Sequence, residues 1–273
     1  MDLDAYFARI GYAGPRTADL ATLAAIILHH AASIPFEAID VLLGKGLDVA
    51  PEAIFDKLVR RKRGGYCFEQ NGLLLAVLTT LGFDASPRLA RVLWMRPAGA
   101  PPLKATHMAL IVRLDGRDYL ADAGFGNGTP TAPLAFDTSE PQATPLETFR
   151  LRSTPVGHVL EMRMGENWAP VYEILAEPPR PEDLADANFF TSTHPESRFR
   201  RDLMLARATV EARFLLLGNR LMIRPAHGSA EVRTLDGPEA LTETIETVFG
   251  LEIDPRWHPM FERFAGREHT PRP

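Results

Sequence analysis

The sequence predicts an α+β protein of three consecutive parts: a helical part, a part made of strands and a mixed part. In the first third of the chain, apolar residues recur at helical spacing. In the middle, runs rich in branched and aromatic residues alternate with turn residues. The proline-rich "AEPPRPED" then separates these strands from a segment that shows both patterns. We place the three parts at residues 1–85, 86–180 and 181–273.

The first part is predicted to be a small helical bundle. Apolar spacing from Thr17 onward indicates one helix, with Thr17 as its cap and Pro35 as its stop. A second helix should begin at Pro51 and end in the cationic run "RRKR", whose charges complement the helix dipole. Two glycines follow, and "CFEQNGLLLAVLTTLGF" is then apolar on nearly every side, as in a helix that other helices surround. Cys67 lies at the start of this central helix.

The second part should form a β-barrel or a strongly bent sheet. Asp115-Gly116 is a strong hairpin signal between two of its predicted strands. The runs that we interpret as strands are "PRLARVLWM", "HMALIVRL", "RDYLADA", "TFRLRS", "HVLEMRM" and "WAPVYEIL". In the third part we predict a helix up to Phe190, a hairpin through Gly218-Asn219 and two final helices near residues 238–249 and 256–265.

Composition and charge exclude several classes of function. The chain has 273 residues and a net charge of -5, which gives no general attraction for nucleic acid or an anionic membrane. Its most apolar window, "LATLAAIILHH", is too short to cross a bilayer, and the acidic start does not resemble a secretory signal. The single cysteine excludes an internal disulfide. We therefore expect a soluble, cytoplasmic protein.

Cys67 is the first candidate for a functional residue. A helix amino terminus offers unpaired N–H groups and a partial positive charge, which favour the reactive thiolate. The alternative is that Cys67 is a small buried apolar residue, which is the commoner role of a free cysteine. A nucleophilic cysteine also needs a base within hydrogen-bonding distance and a third group that orients the base.

The predicted hairpin brings a histidine and a carboxylate together. With a two-residue turn, Ala109 lies opposite Asp122, so that His107 and Asp122 become diagonal neighbours on one face, about 7–8 Å apart at the backbone. A shift of one residue would put them on opposite faces. The alternative is a buried pair that only stabilises the sheet, and a β-bulge or a three-residue turn would break the register.

Two other sequence patterns are weaker evidence for a functional site. His29 and His30 are neighbours on a predicted helix and point in different directions, so we interpret them as surface or packing residues and predict no metal site. The "GFGNG" run at residues 124–128 resembles a nucleotide-binding loop, but Thr129-Pro130 follows where a phosphate-binding helix should begin. Its backbone N–H groups could still approach a phosphate.

Five segments of the chain together resemble the arylamine N-acetyltransferases. They occur in the order that the family shows and cover all three predicted parts, and "RGGYCFEQN" is highly specific. The segments are "PFEAID" (35–40), "RGGYCFEQN" (63–71), "THMALIV" (106–112), "ADAGFGN" (121–127) and "NFFTSTHP" (188–195).

The resemblance implies a helical bundle, a β-barrel and an α/β lid with a cysteine-protease-like core. Cys67 would accept the acetyl group, His107 would shuttle the proton and Asp122 would orient His107. The resemblance also implies that Arg63 and Glu37 form a structural ion pair beside the site.

The resemblance further implies two groups of binding residues. Those near coenzyme A would be Val92, Trp94, Thr106, Gly124, Phe125 and Gly126. Those that line the acceptor pocket would be Phe36, Phe68 and Phe125. From the residues alone, Phe36 and Phe68 could equally be core residues and Trp94 an ordinary strand aromatic.

The reaction that the resemblance implies is a ping-pong transfer of acetyl from acetyl-coenzyme A, through an acetyl-cysteine, to an arylamine, arylhydrazine or arylhydroxylamine. We expect no tightly bound cofactor, and the oligomeric state is open between monomer and homodimer. Three alternatives remain: a thiol hydrolase or transglutaminase-like enzyme, an amide synthase that uses a tethered polyketide acyl chain, and a non-catalytic protein that binds an aromatic ligand.

Overall fold

The computed structural model describes residues 1–97, 99–101 and 103–265, and it confirms the predicted α+β class. The amino-terminal part is helical apart from one short strand. Its elements are α1 (Leu3–Ile10), α2 (Leu20–Ser33), β1 (Phe36–Glu37), α3 (Ile39–Leu42), α4 (Pro51–Phe55), a π-helical turn (Asp56–Arg60) and α5 (Cys67–Thr80).

Two predicted features of the helical part are wrong in detail. Helix α2 is capped by Asp19 rather than Thr17, because the Asp19 carboxylate accepts a hydrogen bond from Thr22 N at 2.8 Å. The helical run that begins at Pro51 ends at Arg60, so only the first residue of the cationic run belongs to it. Lys62 adopts a left-handed conformation (φ 51°), which ends the helix, and Arg63 N donates back to Lys57 O at 3.0 Å.

The described middle of the chain forms an antiparallel sheet of eight strands in the order β5-β4-β3-β2-β9-β8-β7-β6. Gln142 bridges the edge strands β5 and β6, since its side chain accepts from Ala135 N at 2.7 Å and donates to Ala135 O at 2.9 Å. The sheet is therefore a nearly closed barrel. The strands are β2 (Asp84–Val92), β3 (His107–Leu114), β4 (Arg117–Ala121), β5 (Leu134–Ala135), β6 (Gln142–Ala143), β7 (Thr148–Thr154), β8 (Gly157–Met164) and β9 (Asn167–Leu175).

The hairpin between β3 and β4 has the predicted register. Leu114 pairs with Arg117 across the turn, and pairing continues as far as Leu110 and Ala121. Asp115 and Gly116 both have positive φ, as a tight two-residue hairpin turn requires. Regular pairing ends at Ala121. Asp122, the next residue along the chain, therefore lies outside the ladder and can turn towards the neighbouring helix.

The carboxy-terminal part contains a second sheet, with strand order β1-β10-β11-β12-β13 among the described residues. Strand β1 pairs with β10, so the helical part contributes an edge strand to this sheet. The predicted hairpin at Gly218-Asn219 is confirmed by the pairing of Leu217 with Arg220. The elements are α6 (Pro181–Thr193), β10 (Met204–Ala208), β11 (Ala212–Leu217), β12 (Arg220–Pro225), β13 (Glu231–Thr234), α7 (Gly237–Thr247) and α8 (His258–Ala265).

The elements change type close to the predicted divisions of the chain. Helix α5 ends at Thr80 and the barrel begins at Asp84, whereas the barrel ends at Leu175 and α6 begins at Pro181. The end of the predicted third part, residues 266–273, lies outside the described residues. Within the described residues, no helix has the length and apolar character needed to span a membrane.

Candidate active site

Cys67 is the first residue of α5 and lies just beneath the surface, with an exposure of 3%. The preceding glycines are needed because the chain passes very close to its neighbours there. A Cβ on Gly64 would lie 2.2 Å from Pro35 O, and one on Gly65 would lie 2.8 Å from the Glu69 side chain. The sulfur itself lies 3.8 Å from the carbonyl oxygen of Thr106, the residue directly before β3.

His107 and Asp122 meet where the β3–β4 hairpin leaves its regular ladder. His107 Nε2 lies 2.8 Å from Asp122 Oδ2, and both side chains are almost completely buried. The other ring nitrogen, Nδ1, is therefore the one that can exchange a proton with the Cys67 thiol. The diagonal relation that the register predicts brings the two residues into direct contact.

The electrostatic environment favours a protonated His107. Burial alone would lower the pKa of this imidazole, but the Asp122 charge and the hydrogen bonds to Asp122 and Cys67 outweigh it and raise the pKa from 6.5 to about 10. A cation is thus stabilised beside the sulfur at neutral pH. This is the condition under which a cysteine becomes nucleophilic.

Asp122 is a buried carboxylate that accepts four hydrogen bonds. Oδ2 accepts from His107 and from Tyr172 Oη at 2.8 Å. Oδ1 accepts from Asn71 Nδ2 at 2.8 Å and from Gly124 N at 2.7 Å. Burial would raise the pKa of Asp122, but the charge of His107 and these hydrogen bonds hold it below the usual value. Asp122 is therefore a stable anion.

Asn71 is a site residue that the sequence reasoning did not single out. It lies one helical turn after Cys67, and its Nδ2 donates to Met108 O at 2.6 Å as well as to Asp122. Its Oδ1 accepts from Ala123 N at 2.9 Å. The available signal was its spacing of four residues from Cys67, which puts both on one face of the helix.

Tyr172 was also missed, whereas His30 is a packing residue, one of the two roles that the sequence analysis gave it. Tyr172 comes from β9, and its ring centroid lies 4.7 Å from that of His107. His30 is fully buried and lies 2.9 Å from Tyr6 Oη and 2.7 Å from Gln70 Oε1, so it is a packing residue with a polar role. Burial lowers the pKa of His30 from 6.5 to about 4, which keeps it neutral. No short motif marks Tyr172 as part of the site.

The residues expected near coenzyme A lie around the buried pair. Val92 ends β2 and pairs with Tyr172, and Trp94 packs against the barrel core just beyond it. Phe125 places its ring centroid 5.1 Å from that of His107. A Cβ on Gly124 would lie 2.9 Å from the Cα of Cys67, so only glycine permits this approach of the loop to α5.

Aromatic rings connect the residues on either side of Cys67 with the carboxy-terminal part. Phe36 packs against Phe199 with centroids 5.8 Å apart, and Tyr66 packs against both Phe199 and Phe68. The Tyr66 hydroxyl donates a hydrogen bond to Asn188 on α6. The predicted acceptor residues Phe36 and Phe68 are 7% and 4% exposed, so most of their surface is also part of the core.

A buried ionic cluster supports the helix that carries Cys67. Arg63 Nη2 donates to Glu37 Oε1 at 2.6 Å, which is the ion pair that the resemblance implied. Lys57 Nζ lies 2.7 Å from Glu69 Oε1 and 2.9 Å from Asp40 Oδ2. Glu69 Oε2 in turn accepts from Tyr66 N, directly before the helix begins. The cluster thus fixes the start of α5.

A cysteine on a helix start, with a histidine and a buried aspartate from an adjoining barrel, is the arrangement of enzymes that transfer acyl groups through a thiol. Comparison with known proteins gives a closer assignment. A family profile described as N-acetyltransferase matches residues 19–257. The chain is similar to an arylamine N-acetyltransferase of Mycobacterium tuberculosis, with 40% identity over 93% of this chain and 90% of that protein.

Two solved structures are similar over almost the whole chain. The structure of the M. tuberculosis arylamine N-acetyltransferase has a TM-score of 0.92 and 38% identity, and the match covers 97% of this chain and 100% of that one. The Mycobacterium marinum arylamine N-acetyltransferase in complex with CoA has a TM-score of 0.92 and 36% identity, with the same coverage. The chain belongs to the arylamine N-acetyltransferase family and is an acyltransferase.

Asp122→Asn should slow the alkylation of Cys67 by iodoacetamide at pH 7 by about tenfold or more. The amide removes the charge that raises the pKa of His107, so burial then favours the neutral imidazole and the sulfur loses its adjacent cation. Mass spectrometry of quenched samples gives the rate. Asp118→Asn is the matched control, because Asp118 pairs with Arg113 on the outer surface and should leave the rate unchanged.

The same substitution should alter the pH dependence of stability. A raised pKa means that the contribution of His107 is fully present below pH 6.5 and is lost as the pH rises towards about 10. The free energy of unfolding should therefore fall more between about pH 6 and about pH 9 in the wild type than in Asp122→Asn. Urea titration at the two pH values measures this difference. Equal losses would contradict the assigned charge state.

Lys57→Met should lower the free energy of unfolding by about 3–5 kcal/mol, because it removes the buried lysine that pairs with Glu69 and Asp40 and leaves the Glu69 carboxylate buried without that partner. Lys45→Met removes a more exposed lysine from the same Asp40 and should have little effect. Urea titration monitored by tryptophan fluorescence compares the two. A loss of similar size for both would show that burial of the cluster is not the cause.

Proposed function

We propose that this protein transfers the acetyl group of acetyl-coenzyme A to arylamines, arylhydrazines or arylhydroxylamines through an acetyl-Cys67 intermediate. The observation that carries the proposal is the buried contact of His107 with Asp122 directly beside the Cys67 sulfur. The M. marinum relative bound to CoA supports coenzyme A as the carrier of the acyl group. No tightly bound cofactor is required by this chemistry.

In the first half-reaction, His107 takes the Cys67 proton and the resulting imidazolium is stabilised by Asp122. The thiolate attacks the thioester carbonyl, the bond between carbonyl carbon and coenzyme A sulfur breaks, and the imidazolium proton passes to the departing sulfur. The backbone N–H of Cys67 lies in the first turn of α5, where it can donate to the oxygen that becomes negative. One thioester is exchanged for another, so positioning is the main requirement.

In the second half-reaction, an amine attacks the acetyl-Cys67 carbonyl and His107 accepts the proton that the amine loses. The bond from carbonyl carbon to Cys67 sulfur breaks, and His107 returns the proton to the departing sulfur, so that the thiol is regenerated. Only an unprotonated amine has the lone pair that this attack needs. Alkylamines resemble lysine, with a pKa of about 10.4, and are mostly protonated at neutral pH, whereas arylamines are largely neutral.

The proposed binding residues would form two groups beside the reactive sulfur. The loop with Gly124, Phe125 and Gly126, together with Val92, Trp94 and Thr106, would contact the acyl donor. The rings of Phe36, Phe68 and Phe125 would contact a flat acceptor, since aromatic side chains favour aromatic partners. We also propose that the enzyme acts in the cytoplasm, where a reactive thiol stays reduced.

Incubation with acetyl-coenzyme A and no acceptor should add one acetyl group to Cys67, and an arylamine should then remove it. Intact-mass and peptide mass spectrometry measure both steps. Cys67→Ala should acquire no acetyl group and lose turnover completely, because the residue carries the covalent intermediate. An alkylamine of similar size serves as the acceptor control and should react far more slowly at pH 7.

The rival functions give different results in the same assay. A thiol hydrolase or transglutaminase-like enzyme would prefer peptide donors and would show no stable acetyl-Cys67. An amide synthase specific for a tethered acyl chain would not turn over free acetyl-coenzyme A with a simple arylamine. A non-catalytic protein would keep its ligand binding in Cys67→Ala and would react with iodoacetamide no faster than a free thiol.

A further inference from the structure

A buried arginine of the carboxy-terminal sheet holds the loop at residues 124–129. The Arg213 side chain lies on β11 and has no solvent exposure. Its Nη1 donates to Gly126 O at 2.9 Å, and its Nη2 donates to Thr129 O at 2.7 Å. The two acceptors precede Arg213 by 87 and 84 residues, so this contact exists only when the barrel and the carboxy-terminal sheet are docked.

The central part of the chain neutralises the Arg213 charge. Arg213 Nε donates to Glu147 Oε1 at 2.7 Å, and Nη2 donates to Glu147 Oε2 at 2.6 Å. This two-bond pairing uses one edge of the planar guanidinium and leaves the other edge for the loop carbonyls. A lysine carries the same charge but cannot reproduce this geometry from a single nitrogen atom.

The loop has further restraints that fix its path. Gly126 N donates to Thr129 Oγ1 at 2.7 Å, and Gly126 has a positive φ of 80°. Arg224 Nη2 donates to both the carbonyl and the side-chain oxygen of Asn127, each at 2.7 Å. The backbone on the far side of Phe125 is therefore set by contacts with the carboxy-terminal sheet.

Phe125 is the residue through which this restraint reaches the reactive groups. It lies between Gly124, which touches α5, and Gly126, which Arg213 holds. Its ring centroid lies 5.1 Å from that of His107 and 5.1 Å from that of Tyr172. We propose that Arg213 is a positioning residue for acyl-donor binding, which it controls by fixing the 124–129 loop and the Phe125 ring. This inference rests on the proposed transfer from acetyl-coenzyme A.

Arg213→Lys should raise the KM for acetyl-coenzyme A by about tenfold while kcat changes by less than about threefold, because donor contacts move and the proton transfer groups do not. The rate of Cys67 alkylation at pH 7 should stay at the wild-type value. Arg117→Lys is the matched control: Arg117 forms the same two-bond pair with Asp137 on the exposed surface and should leave KM unchanged.

Thr129→Val is a second variant that leaves the Arg213 side chain and the Thr129 carbonyl that it binds unchanged. It removes the acceptor for Gly126 N while keeping the side-chain shape, and it should also raise KM, whereas Thr129→Ser should keep the wild-type KM. These two variants test the loop even if Arg213→Lys does not fold. Hydrogen exchange of a peptide covering residues 124–129 should be faster in Arg213→Lys and in Thr129→Val than in the wild type.

Three results would overturn the inference. An unchanged KM in Thr129→Val with faster exchange in the loop would show that loop order does not control donor binding. An unchanged exchange rate in both variants would show that Arg213 does not fix the loop. A slower alkylation of Cys67 in Arg213→Lys, together with the rise in KM, would show that Arg213 acts through the proton transfer groups. Failure of the proposed function is a separate result, since the wild type itself would then form no acetyl-Cys67.

Discussion

The site depends on keeping one carboxylate ionised in a dry interior. Asp122 accepts hydrogen bonds from a histidine of β3, a tyrosine of β9, an asparagine of α5 and a backbone N–H of its own loop. An isolated buried charge would be protonated instead, so the anion exists only when the barrel and the central helix are docked. Folding and the creation of a basic imidazole are therefore one event, because the charge that raises the pKa of His107 is stabilised by the same contacts.

The helical part and the barrel meet with little free space on either side of Cys67. On one side, the backbone of Gly124 passes so close to the helix that a methyl group there would strike the Cα of Cys67. On the other, Glu69 accepts the backbone N–H of Tyr66 while Lys57 holds its second oxygen. The first turn of α5 is thus fixed from both directions. This fixed turn holds the Cys67 sulfur beside His107.

The sequence predicts contacts within one hairpin well and contacts between distant segments of the chain poorly. The hairpin register predicted that His107 and Asp122 share a face, because a two-residue turn determines every pair along the ladder. Tyr172 could not be found in the same way, since its position depends on β2 pairing with both β3 and β9. The sequence pattern placed Arg63 in the cationic end of a helix, and only the family resemblance indicated its ion pair. No sequence pattern predicted the contacts of Arg213, because its partners lie in segments that meet only in the folded protein.

Because the reactive groups and the far side of the 124–129 loop are held by different parts of the chain, donor binding and proton transfer could change independently of each other. Cys67, His107 and Asp122 come from the helical part and the barrel, whereas the far side of the 124–129 loop is held by the carboxy-terminal sheet. In the proposed second half-reaction the charge of the thiolate is gone, but Asp122 still raises the basicity of His107, which helps it to accept a proton from the attacking amine. A change in the carboxy-terminal sheet would then alter which donor fits beside Phe125 without weakening that base. Selection on substrate range and selection on proton transfer would therefore act on different residues of the chain.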